Sequence, residues 1–336
     1  MPDRVRLRSI ATALPAVIRT SAEVETLIRE ASPGYRLKSG IVEALSGIAT
    51  RRVADADVQC SDLAAQAART ALRDAAIDAR DVDLLIFAAA SQDLMEPATA
   101  NLVQEKVGTT CQVFDVKNAC NSFLNGLQIA ESLIMSGSCE VALVTSGEIC
   151  SRAISWRVRS HAEFKQNFPG YTMGDAGAAA VLTRSSDGRG IFYRRFSTVS
   201  RHWNLATIDC GGSMHPRGEE HTYLHADGAA LKRAFMDIGP KILCTMLRDA
   251  GVMLDEFDRI LVHQPTQPYL DELLRITGTS IDRVEETVAE FGNMAAASLP
   301  VAHARAVERG AIASGDRVLW LGLASGISVG TMMIDV

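Results

Sequence analysis

Three side chains widely separated in this chain have the types that acyl-group chemistry requires: Cys120, His263 and Asn293. Cys120 follows the strand-like run Gln112-Val-Phe-Asp-Val116 and leads into the helical pattern Asn121-Ser-Phe-Leu-Asn-Gly-Leu-Gln-Ile-Ala-Glu-Ser-Leu-Ile134. The pattern sets the thiol in the first turn of an amphipathic helix. Amides there lack intrahelical partners and the helix dipole adds partial positive charge, so the sequence predicts a thiol shifted toward thiolate, the nucleophilic form. The alternative is a small apolar residue used for packing. His263 ends the apolar run Arg259-Ile-Leu-Val and precedes Gln264-Pro265. That places it at the carboxyl end of a strand, where α/β sheets gather ligands. Asn293 stands just before a helix, where asparagine equally serves as a cap or turn residue. The segment Gly322-Leu-Ala-Ser-Gly-Ile-Ser-Val-Gly330 reads either as a plain turn between strands or as a close backbone approach offering an N–H to an oxyanion.

The remaining thiols and histidines give weaker patterns. The seven cysteines (60, 111, 120, 139, 150, 210 and 244) are scattered and contain no CxxC, so neither a zinc ribbon nor a disulfide framework is indicated. Reduced thiols fit a cytoplasmic protein. Residues 208–225 hold Cys210, His215, His221 and His225, the last two at i and i+4. No strand or helix context supports a metal site there and acidic residues are interspersed, so we expect a surface or substrate-access loop and no metal.

The elements that must position these groups alternate in type. Strand candidates are 83–90, 113–116, 141–145, 178–182, 259–263, 317–322 and 330–335. Helical patterns lie at about 61–77, 97–107, 121–136, 226–250, 267–277 and 295–309. Such alternation predicts α/β layers. The turn-rich Ser185-Ser-Asp-Gly-Arg-Gly190 predicts a boundary, with halves 1–184 and 185–336 of similar grammar. Residues 151–172 read as an excursion lining a pocket or a dimer contact. With 336 residues, 47% of them hydrophobic, the chain has material for a large core. A net charge of −6 without a clustered basic face argues against nucleic acid. No secretory leader is recognised, and no apolar stretch approaches the ~18 residues of a membrane span.

Taken in order, the motifs resemble the thiolase-superfamily condensing enzymes, in particular the ketoacyl synthase III (KAS III) branch. The likeness runs through Ser46-Gly-Ile-Ala-Thr-Arg-Arg52, Asn118-Ala-Cys120, Met173-Gly-Asp-Ala-Gly-Ala-Ala179, Asp227-Gly228, Val262-His-Gln-Pro265, Gly292-Asn-Met-Ala-Ala-Ala-Ser298 and the C-terminal Gly-rich turn. It implies a five-layer αβαβα fold of two related halves, working as a homodimer in the cytoplasm. It also implies that Cys120 takes an acyl group from a coenzyme A (CoA) or acyl-carrier thioester. His263 and Asn293 would bind the enolate oxygen of a second thioester, and the backbone N–H groups of Cys120 and Ser325 would form the other oxyanion hole. Acyl carrier protein is a further partner the likeness allows, and no resident cofactor is expected.

Two departures narrow this expectation. Where fatty-acid-initiating synthases clamp adenine with tryptophan and arginine, this chain has Ile41 and Leu45. Where they carry a phenylalanine before a proline, it has Glu96, in Leu94-Met-Glu-Pro97. That carboxylate resembles the head-to-head condensing enzymes of olefin biosynthesis, in which it is supplied to the partner subunit as a base. A malonyl donor makes its carbanion by losing carbon dioxide, whereas an ordinary acyl donor must lose a proton to a base. The expectation is therefore a non-decarboxylative Claisen condensation of two acyl-CoA molecules. Decarboxylative condensation with malonyl-CoA or malonyl-carrier protein, an ester- or amide-forming acyltransferase, and a non-catalytic acyl-binding subunit are the alternatives.

Overall fold

The computed structural model describes residues 3–336. In its N-terminal half the chain runs β1 (Val5–Ala13), β2 (Val17–Thr20), α1 (Ser21–Ala31), α2 (Ile41–Ser46), β3 (Thr50–Val53), α3 (Cys60–Ala75), β4 (Leu84–Ala88), α4 (Thr99–Val107), β5 (Gln112–Val116), α5 (Ser122–Met135), β6 (Val141–Glu148), α6 (His161–Asn167) and β7 (Ala176–Arg184). It continues through β8 (Gly190–Thr198), β9 (Ala206–Thr207), β10 (His225–Ala226), α7 (Gly228–Ala250), β11 (Arg259–Val262), α8 (Gln267–Thr277), α9 (Val288–Phe291), α10 (Ser298–Glu308), β12 (Arg317–Ala324) and β13 (Ser328–Asp335).

Two sheets carry the architecture, in the orders β1-β7-β6-β4-β5 and β8-β13-β12-β11. From β1 or β8 inward, both sheets step antiparallel, antiparallel, then parallel. The parallel bridge Ile260–Val284 stands where the first sheet adds β5. The two halves therefore share one topology, and the turn at 185–189 falls between them.

Why the strands read as unbroken apolar runs is clear from where their two faces go. Leu85 and Phe87 of β4 pack outward against α3 and α4. Leu84, Ile86 and Ala88 pack inward against α5, α10 and the second sheet, in a core that includes the fully buried Trp320. The far face of the second sheet is covered by α7 and α8. The layers are thus helix, sheet, helix, sheet, helix, with α5 and α10 sandwiched at the centre.

Several elements depart from the sequence expectation. β1 and β8 were not anticipated: each interleaves arginines with apolar residues, as sheet-edge strands do, and neither shows the buried apolar run of β4 or β6. Part of the excursion 151–172 packs into the fold. Trp156, Phe164 and Tyr171 join Val24, Ile28 and Val42 in a satellite core under α1, with Phe164 and Tyr171 ring centroids 5.8 Å apart.

Candidate active site

Cys120 does not sit in the first turn of α5. The helix begins at Ser122, with Asn121 as its N-cap residue, and Cys120 precedes both. The first amides are already employed, since Asn121 N–H donates to Asn118 O and Ser122 N–H to Ala119 O, each at 3.0 Å. Ala119 adopts a left-handed φ of 47°, a cost of roughly 1 kcal/mol or more for a residue with a Cβ, and this kink turns the thiol out of the strand-to-helix path. The expected shift toward thiolate is overturned. Cys120 keeps some surface, but loss of hydration around its sulfur, with a smaller contribution from the nearby Glu148 carboxylate, pushes the thiol up to about 12.

The thiol loop is seated against the C-terminal half by asparagines. Asn121 Nδ2 donates to Ser328 O at 3.0 Å and to Ser328 Oγ at 3.1 Å, and Asn118 Nδ2 approaches Ser328 Oγ at 3.4 Å. Gly322 makes this approach possible: a Cβ there would lie 2.0 Å from Asn121 Oδ1. His263 extends β11 alongside the same position, donating its N–H to Leu321 O at 3.0 Å. Val262 pairs with Leu321, so His263 comes beside Gly322 in the sheet. Its imidazole is buried, Nδ1 has no partner among the described residues, and burial lowers its pKa to about 4. The resting pair is therefore a neutral thiol and a neutral imidazole. The buried Tyr269 of α8 also lies near Cys120.

Asn293 combines its two expected roles. Its Oδ1 accepts the Ala295 N–H at 3.0 Å, an ordinary turn contact. That fixes the amide and leaves Nδ2 as a donor with no partner among the described residues. The backbone of Asn293 is clamped by Thr172 O at 2.8 Å and Gly174 N at 3.0 Å. Gln264, directly after His263, holds the approach to it: Oε1 accepts the N–H groups of Thr287 and Val288, and Nε2 donates to Glu285 O. The Asp175 carboxylate accepts from Ala54 N and Ser151, and its own N–H donates to Arg52 O at 2.9 Å, which ties Met173–Ala179 to Ser46–Arg52.

Ser325 occupies the three-residue turn between β12 and β13, where Ala324 pairs with Ser328. Among the described residues, neither the Cys120 N–H nor the Ser325 N–H donates to another residue. Glu96 stands apart. It lies on the exposed loop between β4 and α4, and among the described residues its carboxylate has no ion pair or hydrogen bond. Pro97 is not the first residue of α4, which starts at Thr99, and the helix is capped instead by Asp115, whose oxygens accept from Thr99 N and Ala100 N at 2.8 Å each. Ile41 is half-buried and Leu45 exposed on α2, so an adenine clamp of tryptophan and arginine is absent at those positions.

One residue escaped the sequence reading. Glu148 ends β6 fully buried, accepting from Ala90 N at 2.7 Å, Ser91 N at 3.0 Å and Ala296 N at 3.3 Å. Cys150 Sγ approaches it at 3.7 Å. Burial raises its pKa, opposed by those hydrogen bonds. An acid closing the otherwise uncharged run Val141–Gly147 was the available signal.

A duplicated five-layer α/β frame, with a cysteine before one central helix and an asparagine before its counterpart, defines a thiolase-like condensing enzyme. Known proteins agree. Residues 114–199 match the family model for 3-oxoacyl-[acyl-carrier-protein (ACP)] synthase III, and residues 247–336 match its C-terminal model. The chain is 32% identical to a beta-ketoacyl-[acyl-carrier-protein] synthase III of Neisseria gonorrhoeae over 88% of this chain and 89% of that one. It is 29% identical to an acyl-CoA:acyl-CoA alkyltransferase of Xanthomonas campestris over 92% of each. An OleA structure from X. campestris with bound lauric acid and lauroyl-CoA superposes with a TM-score of 0.89 at 26% identity, covering 99% of both chains. A synthase III structure, FabH from Xanthomonas oryzae, gives the same TM-score, identity and coverage. The chain belongs to the 3-oxoacyl-[acyl-carrier-protein] synthase III family, and it is a condensing acyltransferase.

Proposed function

We propose that this enzyme joins two acyl-CoA molecules by a non-decarboxylative Claisen condensation, with Cys120 as acyl carrier and Glu96, supplied across a homodimer, as base. The observation that carries this reading is Glu96 itself, a carboxylate exposed on a loop of its own chain with no partner among the described residues and no capping duty. In the first step the Cys120 sulfur forms a bond to the acyl carbon, the bond from that carbon to coenzyme A sulfur breaks, and the thiol proton passes through His263 to the departing sulfur. Neutral resting groups suit this route, because the proton moves as the bond forms. The amides of Cys120 and Ser325 bind the carbonyl oxygen as it becomes anionic. In the second step Glu96 takes the α-proton of the second acyl thioester, while His263 and Asn293 Nδ2 donate to the enolate oxygen. The carbanion attacks the acyl carbon, and the carbon–sulfur bond to Cys120 breaks. The product is a β-keto thioester, and the proton taken by Glu96 passes to the departing Cys120 sulfur, restoring both the thiol and the carboxylate. This chemistry uses thioester substrates and needs no resident cofactor; we place it in the cytoplasm, with the boundary between halves at 184/185.

Condensation on a malonyl donor is the second reading, favoured by the name of the Neisseria relative. Purified enzyme given acyl-CoA alone should yield β-keto product without carbon dioxide, and Glu96→Gln should abolish that product while still forming the acyl-Cys120 adduct seen by intact mass. Product only with a malonyl donor, or full acyl-only activity in Glu96→Gln, would overturn the proposal. Transfer to an alcohol or amine, or no adduct with any thioester offered, would support the ester-forming and non-catalytic alternatives respectively.

A further inference from the structure

The loop between β9 and β10 contains a donor cluster that the condensation does not use. Ala206 and Thr207 pair with Ala226 and His225, closing the base of the loop, and Leu224 N–H ties it to Ala153 O at 2.8 Å. Inside the loop, Asp209 N–H and Cys210 N–H both donate to His221 O, at 3.1 and 2.9 Å, and Gly211 N–H donates to His215 O at 3.0 Å. These backbone bonds converge three side chains. One donor atom each from Asp209, His215 and His221 lies within 4.8 Å of the others, and all three residues are half-buried.

The three side chains have little else to do. Among the described residues, Asp209 and His215 make no side-chain hydrogen bond, and His221 Nε2 approaches Glu220 Oε1 at 3.6 Å. The imidazoles of His215 and His221 stack face to face with centroids 3.9 Å apart. A neutral imidazole carries one ring nitrogen with a lone pair free to ligate a metal. Two imidazoles and a carboxylate match the donor preference of zinc and its first-row neighbours. Bonds of about 2.0–2.2 Å would draw the donors inward by about 1–1.5 Å, within reach of side-chain rotation in a loop whose backbone is already fixed.

We propose that Asp209, His215 and His221 form a divalent transition-metal site, with zinc as the fitting ion and water completing the coordination. Cys210 and His225 stay outside it, His225 being engaged with Glu220 O at 3.0 Å. The site is structural, and its position gives it a task. Gly211 packs so closely on Met95 that a Cβ there would lie 2.8 Å from the sulfur, and Met95 adjoins Glu96. An ion bound here braces the loop against the segment that carries the exposed carboxylate.

The test is independent of the reaction. Metal-free full-length protein is titrated with cobalt(II), and visible ligand-field absorption is followed, with zinc as competitor. The expected result is saturation at one cobalt per chain and displacement by zinc. His215→Ala and, as a milder change, Asp209→Asn should each weaken binding by about tenfold or more, while Cys120→Ala and Cys210→Ala leave it unchanged. Absence of the bands, undiminished binding in both ligand variants, or a sulfur-to-cobalt charge-transfer band would overturn the assignment.

Discussion

Glu148 accepts the backbone N–H of Ala296 at 3.3 Å, so the acid that ends β6 in one half holds the loop bearing Asn293 in the other. The same carboxylate holds Ala90 and Ser91, where the chain leaves β4 toward Glu96, and it sits near enough to Cys120 to raise its pKa. Glu148 therefore fixes both the loop that carries Asn293 and the start of the segment that leads to Glu96.

Glu148→Gln separates the two effects of this carboxylate. An amide has one acceptor oxygen where the carboxylate has two, so at least one of the three N–H donors loses its partner, at a cost of about 1–3 kcal/mol. Turnover should fall by roughly tenfold to a hundredfold through misplacement of the reacting groups. Removing the negative charge should at the same time lower the Cys120 pKa, so that the free enzyme alkylates faster at a given pH. Steady-state kinetics and iodoacetamide labelling check the two directions, and slower labelling together with slower turnover would point to general disruption instead.

The free thiol gives a second prediction. An ordinary cysteine has a pKa of about 8.5 and reaches its labelling plateau soon above that. Cys120, held near 12, should label slowly at neutral pH, with a rate that climbs through pH 10 without levelling. Mass spectrometry following the Cys120 peptide distinguishes it from the other six cysteines. A plateau below pH 9 would restore the thiolate reading.

The parts of the fold and site legible in the sequence were those fixed by local pattern. Strands such as Leu84–Ala88 are buried on both faces and announce themselves as apolar runs, whereas β1 and β8 bury less and mix in arginines. Cys120, His263 and Asn293 stood out because element ends are where chemistry concentrates, and the structure brings their loops together through Asn121, Gly322, Gln264 and Glu148. Charge states were not legible. The helix-end argument for a thiolate is local, but desolvation is a tertiary quantity, and it decides the outcome here. Glu148 was missed for the same reason, since an acid after Ser146-Gly147 reads as a strand running out into solvent. In the β9–β10 loop the i, i+4 spacing drew attention to His221 and His225, whereas backbone pairing puts His221 with Asp209 and His215 instead.

The buried histidines set a stability profile. His263 and His303 are both lowered to about 4 by burial, and His303 Nδ1 accepts the Trp320 Nε1–H at 3.3 Å, which requires the neutral ring. In the unfolded chain each would titrate near 6.5. Between those values the unfolded state binds more protons, so their contribution is complete above about pH 6.5 and declines as pH falls toward 4. Each histidine should impose a slope of roughly 1 kcal/mol per pH unit near pH 5.5. Denaturant melts at pH 7.5, 6 and 5 should show this loss, and His263→Gln should reduce the slope. A flat profile over the same range would contradict neutral burial.

Gly322 supplies the last prediction, because it is where the two halves come closest beside the thiol. A Cβ at this position would stand 2.0 Å from Asn121 Oδ1 and 2.5 Å from Leu124 Cδ1, both on the segment that carries Cys120. The strand cannot retreat easily, since Gly322 pairs with Gly330 across β13 and His263 continues the ladder on the other side. Gly322→Ala must therefore push Asn121 away, stretching its bonds to Ser328 and lifting the start of α5. Overpacking of this kind costs about 1–3 kcal/mol, and the displacement falls between Cys120 and His263. The expected variant folds with a lowered melting temperature and forms the acyl-Cys120 adduct at least about tenfold more slowly. Gly330→Ala meets the Phe196 ring, a side chain on the opposite strand, and serves as the control. It should lose comparable stability while acylating at near the normal rate, and equal slowing in both variants would show that Gly322 matters only for folding.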